Sequence, residues 1–323
     1  MLYTRNVIDL RDSGGVQAMV NQELKSRAAA LSVVSNTILI IIKLAVGIMM
    51  QSVSVISEAI HSGLDLTAAI VAWFSVRESG KPADDKHRFG HGKIENLAGT
   101  IEALLILGAA LFIVVEALKK LVSGTVQVEG LGMGAVVMTA SAIANYFVSR
   151  HLMSVARRTD SVALEADAMH LRTDVYTSVG VLAGLIAIKL TGVALLDPIA
   201  AIGVALLIIK AAYGLAKNAF SPILDVRLPD AEEQIILEVL KGHPGEVLEF
   251  HKLRTRKSGH IRHIDMHLMV PKGCTVGEAH SLSHEITRQI EQRLPDSQIL
   301  VHIEPCRGDC DGCPAKCSEK DVS

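Results

Sequence analysis

Two stretches of this chain repeat one arrangement of ligating side chains. The first reads Glu58-Ala59-Ile60-His61, then Asp65; the second reads Asp167-Ala168-Met169-His170, then Asp174. Residues four apart share one face of a helix, so each stretch presents an imidazole and a carboxylate on one stripe. Two facing stripes would bring together His61, Asp65, His170 and Asp174, two nitrogens and two oxygens. That set suits a tetrahedral divalent ion, zinc above all. The two carboxylates cancel the ion's charge, which matters wherever water is excluded. Imidazole and carboxylate also bind protons, so metal and protons compete for the same lone pairs. Manganese or magnesium would favour an all-oxygen set, against which the two histidines argue. The alternative use of such residues is to join helices through hydrogen bonds, which the repetition disfavours. Glu58 and Asp167, one turn earlier, either support the ligands or are helix-surface charges, the second being the preferred reading.

Three further groups have ligand chemistry. Asp84-Asp85-Lys86-His87-Arg88-Phe89-Gly90-His91 sets two histidines four apart beside carboxylates, either a metal site or an ordinary solvated loop. Towards the C-terminus lie His251, His260, His263, His267, His280, His284, His302 and Glu304. His263, Asp265 and His267 alternate, so they share one face of a strand, as do His302 and Glu304. One or two ions could bind there; a solvated face, or histidines packed on a partner chain, is the other reading. Last, Cys306, Cys310, Cys313 and Cys317 are spaced C-x3-C-x2-C-x3-C. In a reducing compartment they point to a flexible thiolate site for soft metals rather than disulfides. The first three match the spacing of radical iron–sulfur enzymes, but no barrel surrounds them. Cys274 reads as a lone thiol.

The elements that position these residues are long apolar runs: Ala28–Met50, Val53–Val76, Leu97–Leu118, Leu131–Val148, Leu171–Leu190 and Pro198–Ala216. Each approaches the roughly 20 helical residues that cross a bilayer. Half of the 323 residues are hydrophobic and 20% are charged, with a mean hydropathy of +0.36. A net charge of −2 leaves no global basic field for nucleic acid. Polar groups inside such spans are functional candidates by default; Lys43 and Glu102 are two more, without an assigned role. Counting in from Val53 and Leu190 at 1.5 Å per residue, Asp65 lies about 18 Å deep and Asp174 about 24 Å. The stripes must therefore shift by a few residues to meet.

Lys and Arg concentrate between the second and third runs (Arg77, Lys81, Lys86, Arg88, Lys93) and between the fourth and fifth (Arg150, Arg157, Arg158). The positive-inside rule then places both termini in the cytoplasm. Residues 1–27 read as a cytosolic tail, 28–220 as a six-helix transport domain, 221–305 as a cytosolic domain and 306–323 as a cysteine-rich tail. The cytosolic domain reads αββαβ: a helix over 231–240, strands over 247–256, 261–270 and 298–304, and a helix capped by Thr275. That order suits helices on one face of an antiparallel sheet.

The chain resembles the cation diffusion facilitators over roughly Leu24 to Pro305. The likeness rests on the six spans, the paired His-x-x-x-Asp, Pro-Ala-Asp-Asp-x-His-x-Phe-Gly-His-Gly-Lys at 82–93, and Leu-Arg-Thr-Arg-x-Ser-Gly at 253–259. The resemblance implies a homodimeric metal/proton antiporter of the cell (inner) membrane, with a metallochaperone-like cytosolic domain. It would export Zn2+ against protons, with Cd2+, Fe2+, Co2+ and Ni2+ as further candidates and Zn2+ also regulatory. It places the transport site at His61, Asp65, His170 and Asp174 and the loop site at Asp84, His87 and His91. The cytosolic dimer site falls at His251, His267, His280 and His302, with Glu304 in place of the family's shorter Asp. Lys93 and Asp225 would form an interfacial salt bridge of the dimer. The cysteine tail lies outside the resemblance. An intramembrane metalloprotease would want a His-Glu-x-x-His helix, which this chain lacks; the protein reads as no enzyme. A membrane-anchored metal sensor without flux is the remaining alternative.

Overall fold

The structure, a computed structural model, describes residues 10–50, 53–123, 133–191, 193 and 195–306. Six long helices come first: α1 (Leu10–Met49), α2 (Val53–Ser79), α3 (Lys93–Ser123), α4 (Met133–Thr159), α5 (Val162–Thr191) and α6 (Leu196–Phe220). Helices suit such sequence because they satisfy every backbone polar group internally, as an apolar solvent demands. α1 starts at Leu10, so most of the expected N-terminal tail is a continuation of the first helix; residues 1–9 lie outside the described set.

Four helices contain stretches long and apolar enough to cross a membrane: Met19–Met49, Ala59–Ser79, Lys93–Val122 and Pro198–Leu224. α4 and α5 are equally long, but charge marks them out. α5 carries Glu165, Asp167, His170, Arg172 and Asp174 in its first half, and α4 ends on Arg157 and Arg158. The packing is that of a lipid-facing bundle. Small residues such as Ala69, Ala72, Ala103, Ala110 and Ala205 are fully buried, whereas Ile41, Leu104, Phe112, Leu206 and Leu207 are exposed. Small residues let helix backbones approach closely where lipid removes any hydrophobic drive between helices. α1 packs on α2, α3 on α6 and α4 on α5, and α5 also touches α2, α3 and α6. The helix with the second polar stripe is therefore the central one.

A buried polar knot ties four parts of this unit. Lys25 of α1 and Glu95 of α3 form an ion pair at 3.1 Å, with side chains 1% and 0% exposed. Ser79, at the end of α2, donates to the same carboxylate at 2.8 Å, and Ser161, ahead of α5, donates to its other oxygen. A buried carboxylate with three donors is satisfied; one with none is costly.

The chain divides into two compact units, Met1–Ser221 and Pro222–Ser323. In the second, a 3-10 turn (Ser221–Leu224) leads to α7 (Asp230–Lys241), β1 (Glu249–Ser258), β2 (Ile261–Val270), α8 (Val276–Arg293) and β3 (Ser297–Pro305). Ser258 pairs with Ile261 across a two-residue turn whose Gly259 has φ +60°, a conformation that Gly adopts without strain. Thr275 and Glu278 form a capping box that starts α8. The order αββαβ holds, but the sheet is mixed: β1 and β2 are antiparallel, whereas β2 and β3 run parallel. The expectation of a wholly antiparallel sheet is corrected by α8, a crossover that returns the chain to its starting end. Ile264, Met266 and Leu268 face Ile236, Ile286 and Ile290 in the core. Both helices therefore cover one face of the sheet and leave the other open.

Candidate metal sites

Within the helical unit, α2 and α5 bring the two stripes together. Ligand atoms of His61, Asp65 and Asp174 all lie within 4.8 Å of one another. His170 joins through Asp65, its Nε2 standing 3.2 Å from Asp65 Oδ1. The stripes meet despite the depth mismatch read from the run boundaries. His61, Asp65 and Asp174 line a cavity of about 200 Å³ with Lys43, Asn145 and Ser178, while His170 stands behind Asp65. Asp65 is buried and His61 is exposed. Lys43 donates to Ser62 Oγ at 2.7 Å; its place in this cavity was not visible in the sequence, which showed only a charge inside an apolar run.

Asp167 is not the helix-surface charge expected of it. It is 1% exposed and Glu102 on α3 is 0% exposed, and the Glu102 carboxylate has no hydrogen-bond partner among the described residues. A helix wheel cannot separate a lipid-facing from a bundle-facing side once polar residues lie on both. Of Glu58, no side-chain placement is described.

The loop residues also assemble. Asp84 Oδ1 lies 3.4 Å from His87 Nδ1, and its Oδ2 lies 3.3 Å from His91 Nε2. Asp84 accepts the backbone N–H groups of Lys86 and His87 at 2.9 and 2.6 Å. The His87 amide leads the effects that hold this carboxyl below its ordinary value; burial, second in size, opposes it, and the Lys86 amide and the two imidazoles add to the lowering. It stays an anion, as a ligand must.

In the second unit the register builds a row. His251 pairs with His267 across β1 and β2, and His267 with His302 across β2 and β3. The ring centroids are 5.3 and 4.5 Å apart. Glu304 closes the row: Oε1 is 2.8 Å from His267 Nδ1 and Oε2 is 3.4 Å from His251 Nε2. The group lies on the open face. Just after His251 the β1–β2 register shifts, and Lys252 takes φ +51°, a bulge of the kind that re-aims side chains. The structure does not bring His280 into this group. It sits on α8, beneath the opposite face of the sheet, and packs edge-on against His284 at 4.3 Å. His263 shares the open face but is buried, and Asp265 pairs with Arg254 at 3.2 Å.

The hydrogen bond from His267 leads the effects that hold the Glu304 carboxyl below its ordinary 4.5. A depressed carboxyl contributes stability above that value and loses it as pH falls through its folded value. Glu304→Gln is expected to flatten this acid-side loss and to weaken metal binding at the row about 10–100-fold. Unfolding against pH and zinc titration of the purified protein check both.

Of the expected thiolate site, Cys306 ends the described chain; Cys310, Cys313 and Cys317 lie outside it. Asp225 receives Arg256 at 3.3 Å within the second unit, and Lys93 opens α3.

A helical bundle with a His/Asp cluster between two helices, followed by a small α+β unit with a histidine row, defines a membrane carrier of metal cations. Comparison with known families agrees. The model of the cation efflux transmembrane domain matches residues 29–224, and that of the cation efflux protein cytoplasmic domain matches residues 228–306. The chain belongs to the cation efflux family: a multi-pass membrane transporter of metal ions, with six long helices, four of them apolar enough to cross a membrane, and a small α+β domain. Among its relatives are the cation-efflux pumps FieF of Shigella boydii serotype 18 and Escherichia coli O1:K1. Each is 33% identical over 283 residues, covering 88% of this chain and 93% of the relative. A solved chain from work on CzrB, a candidate zinc transporter, is 36% identical over 24% of this chain and 98% of its own length, with a TM-score of 0.24.

Proposed function

We propose that the protein exports divalent metal, Zn2+ first, in exchange for protons, with His61, Asp65, His170 and Asp174 as the transport site. One observation carries this reading: His61 and Asp65 of one stripe and Asp174 of the other meet at one small cavity, with His170 held against Asp65. The ion takes lone pairs that protons otherwise hold, so loading the site expels protons and protonating it expels the ion. Two imidazoles favour zinc, cadmium, cobalt, nickel or ferrous iron over harder ions.

The remaining sites take supporting roles in the same proposal. The loop group Asp84, His87 and His91 is a second metal site. The row His251, His267, His302 and Glu304 is a regulatory metal site on the face by which the cytoplasmic domains of a homodimer meet. Lys93 and Asp225 contribute the dimer's salt bridge, both termini are cytoplasmic, and the cysteine tail binds soft metal. Residues 28–220 form the transport domain and residues 221–305 the regulatory one.

Zinc uptake into proteoliposomes, with and without an imposed pH gradient and with a panel of competing divalent ions, tests this. Gradient-dependent uptake is expected, inhibited most by ions that accept imidazole. Tight zinc binding without flux would overturn the transport reading in favour of a membrane-anchored sensor.

A further inference from the structure

The cavity that holds His61, Asp65 and Asp174 also holds a lysine. Lys43 reaches it from α1, its side chain is 4% exposed, and Nζ donates to Ser62 Oγ at 2.7 Å. Ser62 follows His61 on α2, so the ammonium is tethered beside a candidate ligand. A buried ammonium is costly without nearby anions, and Asp65 and Asp174 line the same cavity.

A fixed cation inside a cation site changes the charge count. With neutral imidazoles, two carboxylates and Lys43 sum to −2 + 1 = −1, and a bound divalent ion brings the cavity to +1. Without the lysine the same states are −2 and 0. Lys43 therefore eases the empty cavity and repels the loaded ion. From this geometry we propose that Lys43 is a tethered competitor for the transported metal, lowering affinity so that the ion is released. The inference rests on the reading of this cavity as the transport site.

The test is zinc flux in proteoliposomes of the full chain carrying Lys43→Gln, Lys43→Met or Lys43→Arg. Gln keeps a donor for Ser62 and removes the charge; Arg keeps the charge. KM is expected to fall at least about tenfold in Gln and Met, because the ion no longer meets a like charge across a partly dry cavity. Their kcat falls as release slows, and Arg behaves as the parent. A purely structural lysine would lower flux without lowering KM. A KM that is unchanged or raised in Lys43→Gln overturns the proposal; a raised one would mark the amine as a ligand. If Met does not fold, Gln carries the test, with zinc Kd in detergent as a readout independent of turnover. Asp174→Ala separates the two claims. If it leaves flux intact, the site reading fails; if it abolishes flux and KM does not fall in Gln, only the role of Lys43 fails.

Discussion

Asp174→Ala is expected to lower zinc flux at least about a hundredfold. Loss of a group that merely orients a ligand already costs about 10–100-fold in affinity, and Asp174 supplies a ligand atom itself. It also supplies one of the two carboxylates that balance the ion. Its removal leaves a divalent charge in a low-dielectric bundle with one anion and a lysine. Asp84→Ala and Glu304→Gln, which alter the other two groups, should each change basal flux less than about tenfold. Initial rates of zinc uptake, compared at equal reconstituted protein, check the contrast. Flux that falls equally in all three would deny the cavity its special place.

Glu95→Ala is expected to cost about 3–5 kcal/mol of stability, the range found when one partner of a buried ion pair is removed. The lysine left behind is 1% exposed, and the Ser161 hydroxyl loses its acceptor with it, whereas Ser79 keeps the Val76 carbonyl. The knot joins α1, the end of α2, the start of α3 and the approach to α5, so its loss should loosen the bundle as a whole. Thermal unfolding in detergent measures the cost. Replacing both partners, Lys25→Met with Glu95→Gln, should recover much of it, because no uncompensated charge stays buried. A cost below about 1 kcal/mol for the single variant would mean that water reaches Lys25.

The His/Asp cluster between α2 and α5 was legible because its signal is local and repeated. His61 with Asp65, and His170 with Asp174, are one helical turn apart, and spacing along one helix reads directly from the chain. The histidine row was half legible. Alternation placed His267, and His302 with Glu304, on strand faces, but only the parallel β2–β3 register sets His302 beside His267. His280 stands apart from the row within one chain because α8 lies on the far face of the sheet. What the sequence hid is what depends on rotation about a helix axis. Asp167 read as a surface charge and is buried. Lys25 read as part of a tail and closes an ion pair with Glu95, since α1 runs on well before the apolar run begins. A charged residue just ahead of an apolar run has several faces open to it, and only packing selects one.

If one cavity exchanges metal for protons, the two must move together and in opposite directions. The most direct test records zinc and protons together in the same proteoliposomes, with a zinc indicator and a pH indicator inside. The expected result is proton efflux that accompanies zinc uptake, tracks its rate, and disappears with it in Asp174→Ala. Zinc uptake at the parental rate with no opposing proton movement would contradict the exchange.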